Sequence, residues 1–225
     1  MFCVCCGSPK MEMKEVLWKE LIDGWRLGPH EVDYINRQQG FHCASCGSNL
    51  RSMALAKAIM TFLNYSGLFR KFVSSDLAKQ LRILEINESG SLNQFLKKLP
   101  HHMLKGFPEI DMMNLSFEDG KFDLVVHSDT LEHIQNPIRG LSECGRVLRA
   151  GGFCAFTVPM VVDRLTVSRV GLPPAFHGSP RNPGDCMVYT EYGADVWKHL
   201  ILAGFMENRI FSLEYPAAQA FVGVK

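Results

Sequence analysis

Cysteine carries the clearest chemistry in this chain of 225 residues. Four of its eight cysteines form two copies of one knuckle, Cys3-x-x-Cys6-Gly7 and Cys43-x-x-Cys46-Gly47. Four thiolates from two such pairs, Cys3, Cys6, Cys43 and Cys46, satisfy a tetrahedral structural zinc ion (Zn2+). A single CxxC pair would also suit thiol–disulfide chemistry, which is the rival reading. Cys5 and His42 stand beside the candidate ligands and could substitute for one of them. A closed four-sulfur site leaves no open coordination position, so reacting groups must lie elsewhere. Cys144, Cys154 and Cys186 are isolated and read as small buried residues or, for the last, a loop thiol.

Composition narrows the partners. With 24 basic against 23 acidic residues the formal net charge is +1, which offers no basic face for nucleic acid and no polybasic membrane anchor. A small molecule is the expected partner, and the oligomeric state is not legible. No apolar run is long enough to span a bilayer, and MFCVCCGSPK lacks the pattern of a secretory signal. A cytoplasmic protein with reduced cysteines is therefore expected.

The elements that must position these groups follow from periodicity and punctuation. Pro29 can open a helix that Gly40 stops, and NLRSMALAKAIMTFLNYSG is rich in helix formers up to Gly67. From Leu81 the pattern alternates: the strand LRILEI, a helix closed by Pro100, the strand FDLVVH, the helix NPIRGLSECGRVLRA, and the strand FCAFTVP. A helix over 193–203 and an antiparallel pair, FMENRIFSLEY with AAQAFVGV, complete the series. The fold class expected is α/β, a doubly wound Rossmann-like sheet with a small amino-terminal zinc-ribbon module. Its parts are the module at 1–48, a helical linker at 49–80 and an α/β domain at 81–225. A proline- and glycine-rich insertion at 160–190 follows a strand end, where such sheets place function.

The stretch from Phe117 to Pro159, with its FD strand, LEH turn and RVLRAGG joint, resembles the middle of class I S-adenosylmethionine-dependent methyltransferases. The cysteine knuckles resemble the amino-terminal zinc ribbon of a bacterial branch of that family. The resemblance implies S-adenosyl-L-methionine as cofactor and methyl transfer to O or N of a small metabolite, such as a sugar or a secondary-metabolite intermediate. It assigns the cofactor to Glu85, Asn87, Glu88 and Gly90 in ILEINESGSL, to Asp111 and Met112 in DMMNLSF, and to Ser128. Asp129 and His133 in HSDTLEH take the catalytic positions, with His133 a candidate general base because imidazole titrates near neutral pH. His177, Arg181, Asp185 and Tyr189 of the insertion are assigned to the acceptor.

Two departures from the family pattern stand out. Asn87, Glu88 and Ser89 replace the usual glycines after the first strand, and Lys105 and Gly106 stand where an acid for the ribose is expected. These departures support an alternative, a degenerate methyltransferase fold serving as a zinc-stabilised binding or scaffold protein.

Overall fold

The computed structural model describes residues 1–176 and 187–225. Its centre is a mixed sheet of six strands: β1 (Ile83–Ile86), β2 (His102–Lys105), β3 (Phe122–Ser128), β4 (Leu148–Thr157), β5 (Glu207–Leu213) and β6 (Ala218–Val224). Their order is β2-β1-β3-β4-β6-β5, with β2, β1, β3 and β4 parallel and β6 antiparallel to both β4 and β5. The chain runs from β1 outward to β2, then returns to lay β3 on the other side of β1. That reversal opens a crevice at the carboxyl ends of β1 and β3, where open α/β sheets hold ligands.

Helices cover both faces, and alternation along the strands shows why the strands read as continuous apolar runs. Leu124, Val126, Phe153 and Ala155 enter one core, while Val125, Cys154 and Phe156 enter the other. Five helices are of note: α1 (Lys19–Gly24), α2 (Pro29–Gly40), α3 (Leu50–Phe62), α4 (Pro137–Val147) and α5 (Trp197–Leu202). Asn49 caps α3 by accepting the Ser52 N–H, and ten of the thirteen helical residues are buried. That helix lies against β4, β5 and β6. Full burial of side chains such as Leu50, Met53, Leu55 and Ile59 stabilises by about 1.5–3 kcal/mol each, so α3 is a main support of the sheet.

The cysteine end is not a bead on a string. Cys3, Cys5 and Cys43 are fully buried in the core that contains α3. The two knuckles pair through Met11–Glu12 and His42–Cys43, and the chain between them forms α1 and α2. Residues 49–80, expected from sequence as a helical linker, carry α3. The helix expected over 193–203 is confined to α5, because Thr190–Gly193 pairs as a strand with Met160–Val161 and Val167–Ser168. Arg146 and Arg149 tie the far end of α4 to its surroundings: Arg146 binds Glu143, Asp119 and two backbone carbonyls, and Arg149 pairs with Asp123.

Candidate active site and metal centre

The two knuckles are built alike. In each, the first cysteine's carbonyl accepts from the glycine N–H at 2.8 Å, and its N–H donates to a serine carbonyl at 2.9 Å, Ser8 in one and Ser48 in the other. Gly7 and Gly47 both sit at left-handed φ, +81° and +71°, a conformation that side chains with a Cβ disfavour. The four sulfurs lie within 4.8 Å of one another, with Cys3 to Cys46 at 3.6 Å and Cys6 to Cys43 at 3.5 Å. Tetrahedral zinc with Zn–S bonds near 2.3 Å requires sulfurs about 3.8 Å apart, so the donor set fits the ion. Cys5 and His42 are outside this group. A second buried group, His127, Cys144 and Cys154, offers three donor atoms within the same spacing in the core beneath α4.

The crevice is lined by residues that break regular structure at the strand ends. Asn87, directly after β1, and Asp129, directly after β3, have φ of +55° and +50°. Asparagine and aspartate tolerate this region better than other non-glycine residues, so Asn87 supplies the backbone turn that a glycine would otherwise provide. It also joins three strand ends. Its N–H donates to Lys105 O at 2.8 Å, its Oδ1 accepts from Phe107 N at 3.3 Å, and its Nδ2 donates to Thr130 Oγ1 at 3.3 Å. Gly106 is required beside it, since a Cβ there would stand 2.7 Å from Asn87 Oδ1.

Glu85 lies below this loop, fully buried. Its carboxylate accepts from Ser89 N and Oγ at 2.7 and 2.5 Å, from Asn93 Nδ2 at 3.0 Å, and meets His102 Nε2 at 2.6 Å. Burial opposes its charge, yet the bonds from His102 and Ser89 hold its carboxyl below the usual range. Glu85 is thus engaged in shaping the loop, while Glu88 and Gly90 are exposed along its rim. Asp111 is exposed and its Oδ1 accepts the Met113 N–H at 2.8 Å, and the Met112 side chain is buried in the core. Ser128 is buried with its hydroxyl 2.8 Å from that of Thr157.

Asp129 and His133 come together on one cavity of about 360 Å3. Asp129 is ion-paired with Arg51, which is buried in the first turn of α3. The His133 Nδ1 lies 2.9 Å from the Met187 carbonyl; a carbonyl only accepts, so Nδ1 carries a hydrogen, and the other ring nitrogen turned toward Glu132 is Nε2. That nitrogen is 3.6 Å from Glu132 Oε1. Glu132 is buried, and among the described residues neither of its carboxyl oxygens has a hydrogen-bond partner. Burial first, then the charge of Asp129, pushes its carboxyl well above the usual range.

The remaining wall of the cavity was not read from sequence. It comes from the chain between the knuckles, including Trp18, Leu21, Trp25 and Gln38, and faces Met160 and Val161. Trp18, Leu21 and Trp25 recur at helical spacing, the one signal that marked a common face. The roof is fastened from several sides. Asn36 Oδ1 accepts from Val16 and Leu17 N–H at 2.9 and 3.1 Å, Gln38 donates to Ala217 O at 2.7 Å, and Arg164 grips Glu31 with two bonds of 2.7 and 2.6 Å. Arg164 also donates to the Trp25 and Arg26 carbonyls. Of the insertion residues assigned to the acceptor, Tyr189 donates its N–H to Glu132 O at 2.7 Å, and His177, Arg181 and Asp185 lie outside the described residues.

The crevice at a reversal point of a parallel sheet, a turn-bearing loop after β1 and polar groups after β3 define a nucleotide-type cofactor fold. The family model described as a methyltransferase domain matches residues 45–156. Through that segment the chain belongs to the class I S-adenosylmethionine-dependent methyltransferases. A sarcosine/dimethylglycine N-methyltransferase of Halorhodospira halochloris is 32% identical over 83 residues, 32% of this chain and 30% of that one. The match therefore spans less than a third of the curated relative. Similar solved structures include a possible histamine N-methyltransferase of Thermotoga maritima, 14% identical over 78% of this chain and 90% of that one with a TM-score of 0.43. A methyltransferase of Methanosarcina mazei is 16% identical over 65% and 92%, with a TM-score of 0.39. No helix among the described residues is long and apolar enough to cross a membrane.

Proposed function

We propose that the protein transfers a methyl group from S-adenosyl-L-methionine to an oxygen or nitrogen of a small-molecule acceptor, with a structural zinc ion in the Cys3–Cys6–Cys43–Cys46 site. What supports this reading is the adjacency of two places at the carboxyl edge of β1 and β3: the first is the loop where Asn87 bonds Thr130, and the second is the cavity lined by Asp129 and His133. A cofactor in the first would present its reactive group toward an acceptor in the second.

The bound cofactor supplies an electrophilic methyl on a sulfonium. Asn87 and Gly90 give the loop the backbone turn that lets it approach a ligand closely, and Glu85 fixes that loop from below. His133, on the cavity wall beside Asp129, is the proposed general base for the proton of the acceptor's O–H or N–H group. When bound, the cofactor would supply that methyl to the acceptor heteroatom, the carbon–sulfur electron pair staying with sulfur. Holding both partners in line supplies most of the acceleration in such a displacement. The exposed Asp111 and the rim residues Glu88 and Gly90 remain the proposed contacts to the cofactor's polar groups.

Zinc serves architecture in this reading. It would fix the knuckle that leads straight into Asn49 and α3, and thereby Arg51 beneath Asp129. A calorimetric titration with S-adenosylmethionine and S-adenosylhomocysteine tests the proposal. One site per chain is expected; absence of heat and of any thermal shift at millimolar ligand supports the scaffold alternative, to which the Lys105 and Gly106 positions point.

A further inference from the structure

The cavity over Asp129 and His133 is chemically lopsided, and the imbalance speaks to the acceptor. Its roof is apolar and twice aromatic, with Trp18, Leu21, Trp25 and Leu27 facing Met160 and Val161. The polar groups are few: Gln38, Gln39, Asp129 and His133. Among the described residues, no lysine or arginine lines it. At about 360 Å3 it lies at the small end of the 300–1,000 Å3 range typical of small-molecule pockets.

We propose that the acceptor is a compact aromatic molecule of one or two rings bearing a single hydroxyl or amine, and that the segment between the two cysteine knuckles is its binding wall. The proposal rests on the methyltransferase reading above and narrows its substrate class. Indole faces reward flat apolar partners by stacking and by burial. A sugar would need a donor or acceptor for each hydroxyl, and burying hydroxyls without partners costs binding. One reacting heteroatom, by contrast, is matched by the single polar end formed by Asp129 and His133.

The architecture supports the same assignment. Residues 16–39 are held at both ends by the knuckles and clamped in the middle by Arg164 on Glu31. Such a wall is formed before a ligand arrives, which limits the ordering cost of binding. The zinc site thereby acquires a role in acceptor recognition although none of its four cysteines lines the cavity.

Calorimetry of the zinc-loaded full chain with 2-naphthol, and separately with glucose, tests the inference. One saturable site for 2-naphthol and none for glucose is expected. Leu21→Glu, which places a charge on the roof of a short surface helix, should weaken 2-naphthol about tenfold or more. Met206→Glu, at a position 89% exposed and away from the cavity, should leave it unchanged. Glucose binding without 2-naphthol binding, or equal affinity in Leu21→Glu, overturns the assignment. A parallel S-adenosylhomocysteine titration separates the two claims. If that ligand binds and 2-naphthol does not, the aromatic assignment alone fails. If 2-naphthol binds and S-adenosylhomocysteine does not, the pocket chemistry stands and the transferase reading fails.

Discussion

Arg51 in the first turn of α3 is ion-paired with Asp129 at the end of β3. The pair joins the helix that follows the second cysteine knuckle to the residue at which the cavity meets the sheet. Its arginine end is only 6% exposed while its aspartate end is 39% exposed, so the partner left behind by a substitution can recruit water at one end only. Arg51→Met should cost about 1–3 kcal/mol, below the loss for a fully buried pair. Urea unfolding with an unchanged slope checks it; a variant as stable as the parent would show the pair to be incidental.

The second knuckle is also tied to the segment that follows β1. Ser48 Oγ stands 3.3 Å from Cys46 Sγ and accepts from Ser91 Oγ at 2.9 Å, and Gln94 donates to the Cys46 carbonyl at 2.8 Å. Cys43→Ser should lose bound zinc and lower the melting temperature together, because metal-binding energy is also folding energy. Metal analysis beside calorimetry decides. One zinc per chain with unchanged melting would remove the metal from the account.

Asn87 offers a test of backbone geometry. At φ +55°, Asn87→Ala should cost about 1–2 kcal/mol from conformation alone, with the bonds to Phe107 and Thr130 lost as well. Asn87→Gly keeps the turn and loses only the side-chain bonds, so it should be the milder change. Thermal unfolding of both variants gives the comparison, and a glycine variant weaker than the alanine one would contradict the assignment.

Much of this was legible in the chain itself. The parallel strands announce themselves as apolar runs because both faces are covered, and the knuckles announce themselves by repetition. The roof did not, because α1 spans only six residues and the indoles at its two ends serve a cavity closed by residues more than a hundred positions away. Arg51 was hidden for a related reason. An arginine in an apolar helix reads as solvated until β3 is seen to end in an acid beside it. The missing glycines after β1 looked like a loss of function in sequence, yet Asn87 adopts the conformation they would supply.

Glu132 predicts a distinctive pH dependence. Its carboxyl is raised well above the usual range by burial and by Asp129, so the folded state favours its protonated form. The associated stability is present at acid pH and is lost as pH rises through the usual carboxylate value toward the raised one. Glu132→Gln should therefore match the parent near pH 4 and exceed it by about 1 kcal/mol or more at pH 8. Glu85 works the opposite way, stabilising above the usual range and losing its effect as pH falls through its lowered value. Urea midpoints across this range give the profile, and parallel curves for parent and Glu132→Gln would exclude the buried acid as their cause.

Native mass spectrometry of the full chain with zinc and S-adenosylhomocysteine reads the central claim most directly. The account predicts a species with one zinc and one S-adenosylhomocysteine per chain, the ligand retained when 2-naphthol is added. A chain that carries zinc and never the adenosyl ligand, at concentrations up to millimolar, would contradict it.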